Sequence, residues 1–502
     1  MVSNHIRKNQ TFYTVRIDNN CRLIYNFVDK GQFICYNNKG CYFLNVSEDN
    51  IMSEKRSSFS GKIGFVLTAA GSAVGLGNLW RFPYLAAKYG GGIFLLVYII
   101  LAVTFGFALM TAEISLGRKT GLSAIGAFEK LRKKYAFIGY IGALVPMIIL
   151  PYYSVIGGWV TKYLFVYITG QGSAAVHDSY FNSFISQSAE PLIWFFAFIC
   201  ATAGVVLTGV EKGIEKVSKI MMPILIVLSI IIAVYSALMP GAGAGILYYI
   251  KPDFSKFSPT TVLAAMGQLF YSMSLAMGIM ITYGSYMKKN VNLESSVKQI
   301  EIFDTGIAFL AGLMIIPAVF VFSGGDEAAL GQGPGLMFVT LPKVFDAMKG
   351  GTLIGGLFFL LVLFAALTSS ISLMETVVSI FCDKFKLKRN AACLVVLAGC
   401  VIIGLPSSLG FGAWSSVKLL GLSFLDFFDF ISNSVLMPIA AFLTCIFVGY
   451  VISPQALIDE VEVTAPFKRK KLFTVIIKYV APICIILILI TSILDVFGIF
   501  NI

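Results

Sequence analysis

The sequence predicts an all-α integral membrane protein of about eleven transmembrane helices, and three observations carry that reading. Of its 502 residues, 57% are hydrophobic and only 13% charged, with a mean hydropathy of +0.84. A soluble domain keeps roughly a quarter of its residues charged. Charge-free runs of spanning length recur along the chain, and Lys and Arg gather in alternate gaps between them. Lipid is the only solvent that suits so much apolar sequence.

A spanning helix needs about 20 mainly apolar residues, because the hydrocarbon core is about 30 Å thick and each residue rises 1.5 Å. In order, the runs are 63–80, 90–112, 135–161, 192–210, 220–250, 257–287, 305–325, 350–374, 390–417 and 430–458. The last, 472–494, is interrupted only by Lys478. Helices 1–5 therefore fall within about 60–240, helices 6–10 within about 257–452, and helix 11 at about 472–497. A transmembrane barrel is excluded, since its strands alternate over about ten residues instead of staying apolar throughout.

The net charge of +12 follows the topology. Arg118, Lys119, Lys130, Arg132, Lys133 and Lys134 share one gap, Lys384, Lys386, Lys388 and Arg389 another, and Lys468 to Lys471 a third. None lies between Gln171 and Glu190. Positive loops stay cytoplasmic, which puts the N-terminus inside and, for an odd helix count, the C-terminus outside. Clusters placed this way answer to the bilayer and not to nucleic acid.

Other classes drop out on chemistry. The two histidines, His5 and His177, belong to no HExxH; GxSxG and GxxxxGK[ST] are absent as well, which removes a membrane hydrolase and an ATP-driven pump. The nine cysteines show no pairing or metal-ligand pattern. Residues 1–51 stand apart: polar, rich in Asn and Tyr, without a signal-peptide core. They are expected to be a disordered extension or to precede a start at Met52, with the membrane domain at 52–502.

Two runs are interrupted alike. The first reads Gly71-Ser72-Ala73-Val74-Gly75-Leu76-Gly77-Asn78 and the sixth Ser272-Met273-Ser274-Leu275-Ala276-Met277-Gly278. Glycine weakens a helix by up to about 1 kcal/mol relative to alanine. Paired interruptions five helices apart point to an inverted repeat with a binding site at mid-membrane. Charges inside the bilayer each need a reason: Arg81, Glu113, Asp304, Glu375, Asp426 and Asp429. Hydroxyls such as those of Thr368-Ser369-Ser370, carbonyls freed by unwound helix and one carboxylate make the oxygen-rich set that suits a hard cation.

At these residues the sequence resembles a known family. Gly75-Leu76-Gly77-Asn78-Leu79-Trp80-Arg81-Phe82-Pro83-Tyr84, then Gly90-Gly91-Gly92, is similar to the signature of the neurotransmitter:sodium symporters, whose architecture is that of the leucine transporter. Gly267-Gln268-Leu269-Phe270, Thr282-Tyr283-Gly284-Ser285-Tyr286 and Leu367-Thr368-Ser369-Ser370 extend the likeness from about Arg56 to the last helix. The resemblance implies a 5+5 inverted repeat with helices 1 and 6 unwound at mid-membrane, and sodium-coupled import of an amino acid across the cell membrane. It implies two sodium sites. One takes the Ala73 carbonyl, Asn78, Ser272, Asp304 and the substrate carboxylate; the other takes the Gly71, Val74 and Ala365 carbonyls with Thr368 and Ser369.

Asp304 departs from the animal pattern, which commonly has Asn there and a bound chloride. Tyr98, Gln268 and Ser272 retain part of that chloride shell, but Ala308 replaces a serine ligand, so the expectation is chloride-independent transport. Returning empty, the carrier would then shed the charge, with proton antiport as the corollary. Gly75 stands where monoamine carriers have aspartate, leaving room for a substrate carboxylate. The substrate pocket is expected from Ser72, Ala73, Gly75, Gly77, Ile149, Tyr153, Tyr271, Ser272, Ser274, Met277, Ser370 and Leu373. An adaptable methionine at 277 favours bulky hydrophobic or aromatic side chains. Arg81 and Asp429 are expected to gate the outer side, and Arg56 and Asp383, with Phe59 and Tyr286 nearby, the inner side. Glu113 and Glu375 are expected to satisfy backbone groups between helices. A sensor or channel with the same site is the rival reading.

Overall fold

Apolar runs in lipid form helices because every backbone N–H and C=O then bonds within its own segment. The computed structural model describes residues 57–324 and 335–496, with side chains to 494, and the backbone of five strands within 2–45. The chain divides into two compact units, Met1–Arg56 and Ser57–Ile502.

In the first unit, β1 (Val2–Arg7), β2 (Gln10–Asp18), β3 (Cys21–Asn26), β4 (Gln32–Asn37) and β5 (Gly40–Asn45) form an antiparallel meander in chain order. Sequence analysis places no element here. The runs are short but rich in Val, Ile, Tyr and Phe, and Arg7 pairs with Gln10 and Asn37 with Gly40 across two-residue connections.

The second unit is helical. Its first span is broken into α1 (Lys62–Ala73) and α2 (Gly77–Lys88), bent by 53°. There follow α3 (Gly92–Thr120), α4 (Lys133–Ile168), α5 (Glu190–Leu207) and α6 (Val210–Ala237). The sixth span is also broken, into α7 (Pro259–Ser272) and α8 (Ile279–Tyr286). Then come α9 (Leu293–Ser323), α10 (Gly351–Phe385), α11 (Arg389–Leu409), α12 (Phe424–Val451) and α13 (Lys470–Leu494). Among the described residues that is nine continuous helices long and apolar enough to span, plus the two broken ones. The faces turned outward carry large apolar side chains such as Ile100, Val234, Ile402 and Ile483, each more than half exposed except at lipid.

Several helices outrun their apolar cores. Thus α3 continues through Glu113 to Arg118, α9 begins before Glu301 and Asp304, and α10 runs on past Glu375 to Asp383. Charges end an apolar run but not a helix, provided partners neutralise them. Arg118 is buried and gives Nε–H to Glu460 Oε1 at 2.8 Å and Nη1–H to the Val291 carbonyl at 2.9 Å. Conversely, the run 220–250 is two helices, split where Gly241 takes a positive φ of 88° before Ala242–Ile250 begins.

The two breaks differ in kind. The first spans only Val74–Leu76. The second, Met273–Gly278, holds Ser274, Ala276 and Gly278 at φ of 53°, 60° and 69°, a region that residues with a Cβ enter only at a cost. Glu113, 3% exposed on α3, accepts the Ala276 N–H at 2.6 Å. Glu375 serves differently from the expectation: its carboxylate takes the Tyr286 hydroxyl at 2.7 Å and pairs with Arg389. Glu113→Ala leaves that strained amide N–H without an acceptor in a dry interior. It is expected to destabilise the fold by about 1–3 kcal/mol, read as a lower Tm in detergent, with Glu113→Gln losing less.

Candidate functional site

Where a helix stops inside the bilayer, its last carbonyls and next amides have no partners in the chain's own ladder. Both breaks converge here. Ser369 Oγ on α10 lies 3.1 Å from the Ser72 carbonyl, 3.4 Å from that of Val74 and 3.5 Å from that of Gly71. Ser274 Oγ donates to the same Ser72 carbonyl at 2.9 Å. Gln268 Nε2 donates to the Gly77 carbonyl at 2.9 Å. A hydroxyl facing three carbonyls can offer its own lone pairs to a cation in exchange for its proton bond. Thr368 Oγ1, by contrast, donates to the Phe364 and Ala365 carbonyls at 3.0 and 3.1 Å, the ordinary back-bond of a helical threonine.

A second cluster surrounds Asp304, which is fully buried. Its Oδ1 accepts from Asn78 Nδ2 at 2.8 Å and Ser272 Oγ at 2.7 Å, and its Oδ2 from the Tyr98 hydroxyl at 3.0 Å. Asn78 also bonds Ser272 Oγ at 2.8 Å and, through Oδ1, receives the Gly75 N–H at 3.1 Å. Three spans thus meet on one carboxylate. The donor set fits a hard monovalent cation: neutral oxygens with a single formal charge. Among the described residues no three His, Cys, Asp or Glu side chains gather as a transition-metal site would require.

Between these clusters lies a small pocket walled by both broken spans, α4 and α10. Of the twelve expected pocket residues it brings together eleven: Ser72, Ala73, Gly75, Gly77, Ile149, Tyr153, Tyr271, Ser272, Ser274, Met277 and Leu373. Ser370 does not reach it; its hydroxyl sits 2.8 Å from Thr202 Oγ1 on α5. Ser369 lines the cavity in its stead, with Leu76, Asn78 and Ile279. Tyr153 accepts the Leu76 N–H at 3.4 Å. Two glycines keep the space open. A Cβ on Gly75 would stand 2.7 Å from Ser369 Oγ, and one on Gly77 2.7 Å from Tyr271 Cε1.

The expected gates are placed as follows. Arg81 lies over the Tyr271 ring at 5.6 Å, while Asp429 Oδ1 accepts from Tyr152 at 3.0 Å and Asn433 at 2.6 Å. Among the described residues Arg81 and Asp429 make no direct ion pair. Asp383 accepts the Ser123 N–H at 2.7 Å; Arg56 lies outside the described residues. Phe59 packs edge-on against Phe65, Tyr283 and Tyr286. Leu76 and Ile279 were not expected to line the pocket, although Leu76 lies within the first interrupted run and Ile279 directly follows the second.

The chain as a whole has counterparts among known proteins. The family model described as the sodium:neurotransmitter symporter family matches residues 56–183 and 182–499. The chain belongs to that family. The sodium-dependent transporter YhdH of Bacillus subtilis is 35% identical over 445 residues, covering 87% of this chain and 98% of the relative. The human sodium- and chloride-dependent taurine transporter is 28% identical, covering 81% and 73%. Among solved structures, that of MhsT in complex with L-phenylalanine superposes with a TM-score of 0.79 at 38% identity, covering 87% of this chain and all of MhsT. As a symporter-family member the chain is a multi-pass, sodium-dependent transporter and not an enzyme.

Gly75→Ala tests whether the cavity and the Ser369 cluster are one device. The added methyl presses on both Ser369 and Tyr153. It is expected to weaken sodium binding by about tenfold, an overpacking effect, measured by equilibrium binding to purified protein.

Proposed function

We propose that the chain imports a hydrophobic or aromatic L-amino acid together with sodium, by alternating access and without chloride, and that residues 52–502 carry this activity. The observation that carries the reading is the Asp304 carboxylate, held by Tyr98 and by Asn78 and Ser272, of which the last two line the pocket. A carboxylate in that place supplies internally the negative charge that balances sodium. Tyr98, expected to be part of a chloride shell, instead donates to it.

The substrate class rests on two supports. Ile149, Met277, Ile279 and Leu373 give one part of the cavity an apolar lining, and MhsT, 38% identical, was solved with L-phenylalanine. The amides at the start of α2, at the positive end of a helix dipole, suit the carboxylate of an amino acid. One sodium would take the Ala73 carbonyl, Asn78, Ser272, Asp304 and that carboxylate. The second would take the Gly71, Val74 and Ala365 carbonyls with Thr368 and Ser369. Arg81 and Asp429 would close the outer side through the Tyr152 and Asn433 contacts, and Arg56 with Asp383 the inner side. The basic loops favour a cell-membrane protein with a cytoplasmic N-terminus.

Uptake of radiolabelled phenylalanine, tryptophan, tyrosine and leucine into proteoliposomes tests this, under an inward sodium gradient, with choline replacing sodium, and with gluconate replacing chloride. Accumulation that needs sodium and survives chloride removal is the expected result. Sodium-dependent binding without accumulation would make the protein a sensor, and dissipative flux a channel. In the same assay Asp304→Asn is expected to lower transport by about tenfold or more, the scale of a lost charged ligand, or to make it chloride-dependent. Unchanged, chloride-free uptake in that variant would remove Asp304 from the role.

A further inference from the structure

If α1 moves in the transport cycle, something must hold its cytoplasmic end while the sodium sites are formed. We infer that Glu215, at the start of α6, is an inner latch that positions α1 through the backbone and side chain of Ser60. This rests on the alternating-access reading above and adds a residue that sequence analysis passes over as one charge among many in a cytoplasmic loop.

The geometry is specific. One Glu215 carboxylate oxygen accepts the Ser60 N–H at 2.8 Å, and the other accepts the Ser60 hydroxyl. The Glu215 side chain is 1% exposed although it lies at the end of its helix. Room for it is made by Gly64 on α1: a Cβ there would collide with the carboxyl group. Lys288 Nζ donates to the Ser60 carbonyl at 3.0 Å, so the peptide groups on both sides of this residue are held. Phe59 N–H bonds the Tyr286 carbonyl at 3.2 Å, at the end of the second broken helix. The segment just before α1 is thereby tied to α6 on one side and α8 on the other.

The latch is built to open. Lys219, one turn along α6 and 41% exposed, pairs with Glu215 Oε1 at 2.6 Å and reaches Ser60 Oγ at 3.1 Å. When α1 leaves, the carboxylate keeps a counter-charge and gains water. It is never left bare in the interior, which is the arrangement that makes broken buried pairs so costly. At its other end α1 supplies the Gly71 and Ser72 carbonyls, and the break directly after it that of Val74, all facing Ser369. Closing the latch and assembling that cluster are therefore two ends of one rigid movement. Glu215 acts through Ser60 and touches neither ion nor substrate; it is a positioning residue.

Hydrogen exchange on the full chain in nanodiscs, read by mass spectrometry with and without sodium, tests it. Glu215→Gln keeps the shape and removes the charge. It is expected to raise exchange of peptides covering Ser60 to Ala73 about tenfold in low sodium, the loss of one charged hydrogen bond. Peptides of α4 and α11 are expected to stay unchanged, and saturating sodium to restore protection of α1. Ser60→Ala probes the same contact from the other side, and the double variant is expected to be no worse than either alone. Unchanged exchange in both single variants would overturn the latch, as would a rise spread over the whole chain or one that sodium does not reverse. Wild-type protein that shows no sodium-dependent protection or uptake would instead overturn the transport reading, which separates the two failures.

Discussion

A helix interrupted in hydrocarbon leaves amides and carbonyls that water cannot reach, and each costs several kcal/mol if it stays unpaired. Everything distinctive about this chain follows from how it meets that demand at Val74–Leu76 and Met273–Gly278. Glu113 serves the Ala276 amide, Gln268 the Gly77 carbonyl, Ser274 the Ser72 carbonyl, and Ser369 lies within reach of three carbonyls at once. The groups that repair the backbone are also the groups that a hard cation and a carboxylate can use. Structure and transport draw on one set of atoms.

Charge is handled with the same economy. Asp304 is the single carboxylate in its cluster and is met by an amide and two hydroxyls, none of them charged. A formal cation built into the protein at this point would compete with sodium. Neutral donors stabilise the carboxylate and leave its charge available. Away from this cluster the pattern changes to full ion pairs: Arg118 with Glu460, Arg389 with Glu375, Lys219 with Glu215.

Span number, the two breaks and most of the cavity lining were legible in the sequence, because hydropathy over twenty residues and ordered motifs are strong signals. What was not legible has physical causes. The ends of α3, α9 and α10 ran past their charges, since an apolar run measures lipid contact and not helix length. Ser369 and Ser370 differ by about 100° around α10, and a helix buried on nearly every side gives no apolar stripe to orient it. One faces the Ser72 carbonyl and the other Thr202. Glu215 carried no signal at all, because its partner is a backbone amide about 150 residues away. The strands of residues 2–45 were missed because short, mixed runs are weak against the long apolar segments that follow.

The bend of 53° between α1 and α2 has a mechanical meaning. The twelve residues of α1 make a stiff arm about 18 Å long. Pivoting it by about 10° at Val74 would carry its N-terminal end about 3 Å, as far as a hydrogen bond is long. At the pivot the same turn shifts the carbonyls around Ser369 by only a fraction of that distance. The broken backbone works the short side of a lever and the free end of α1 the long side, so a slight loosening of oxygen contacts at the break becomes a larger displacement at the far end.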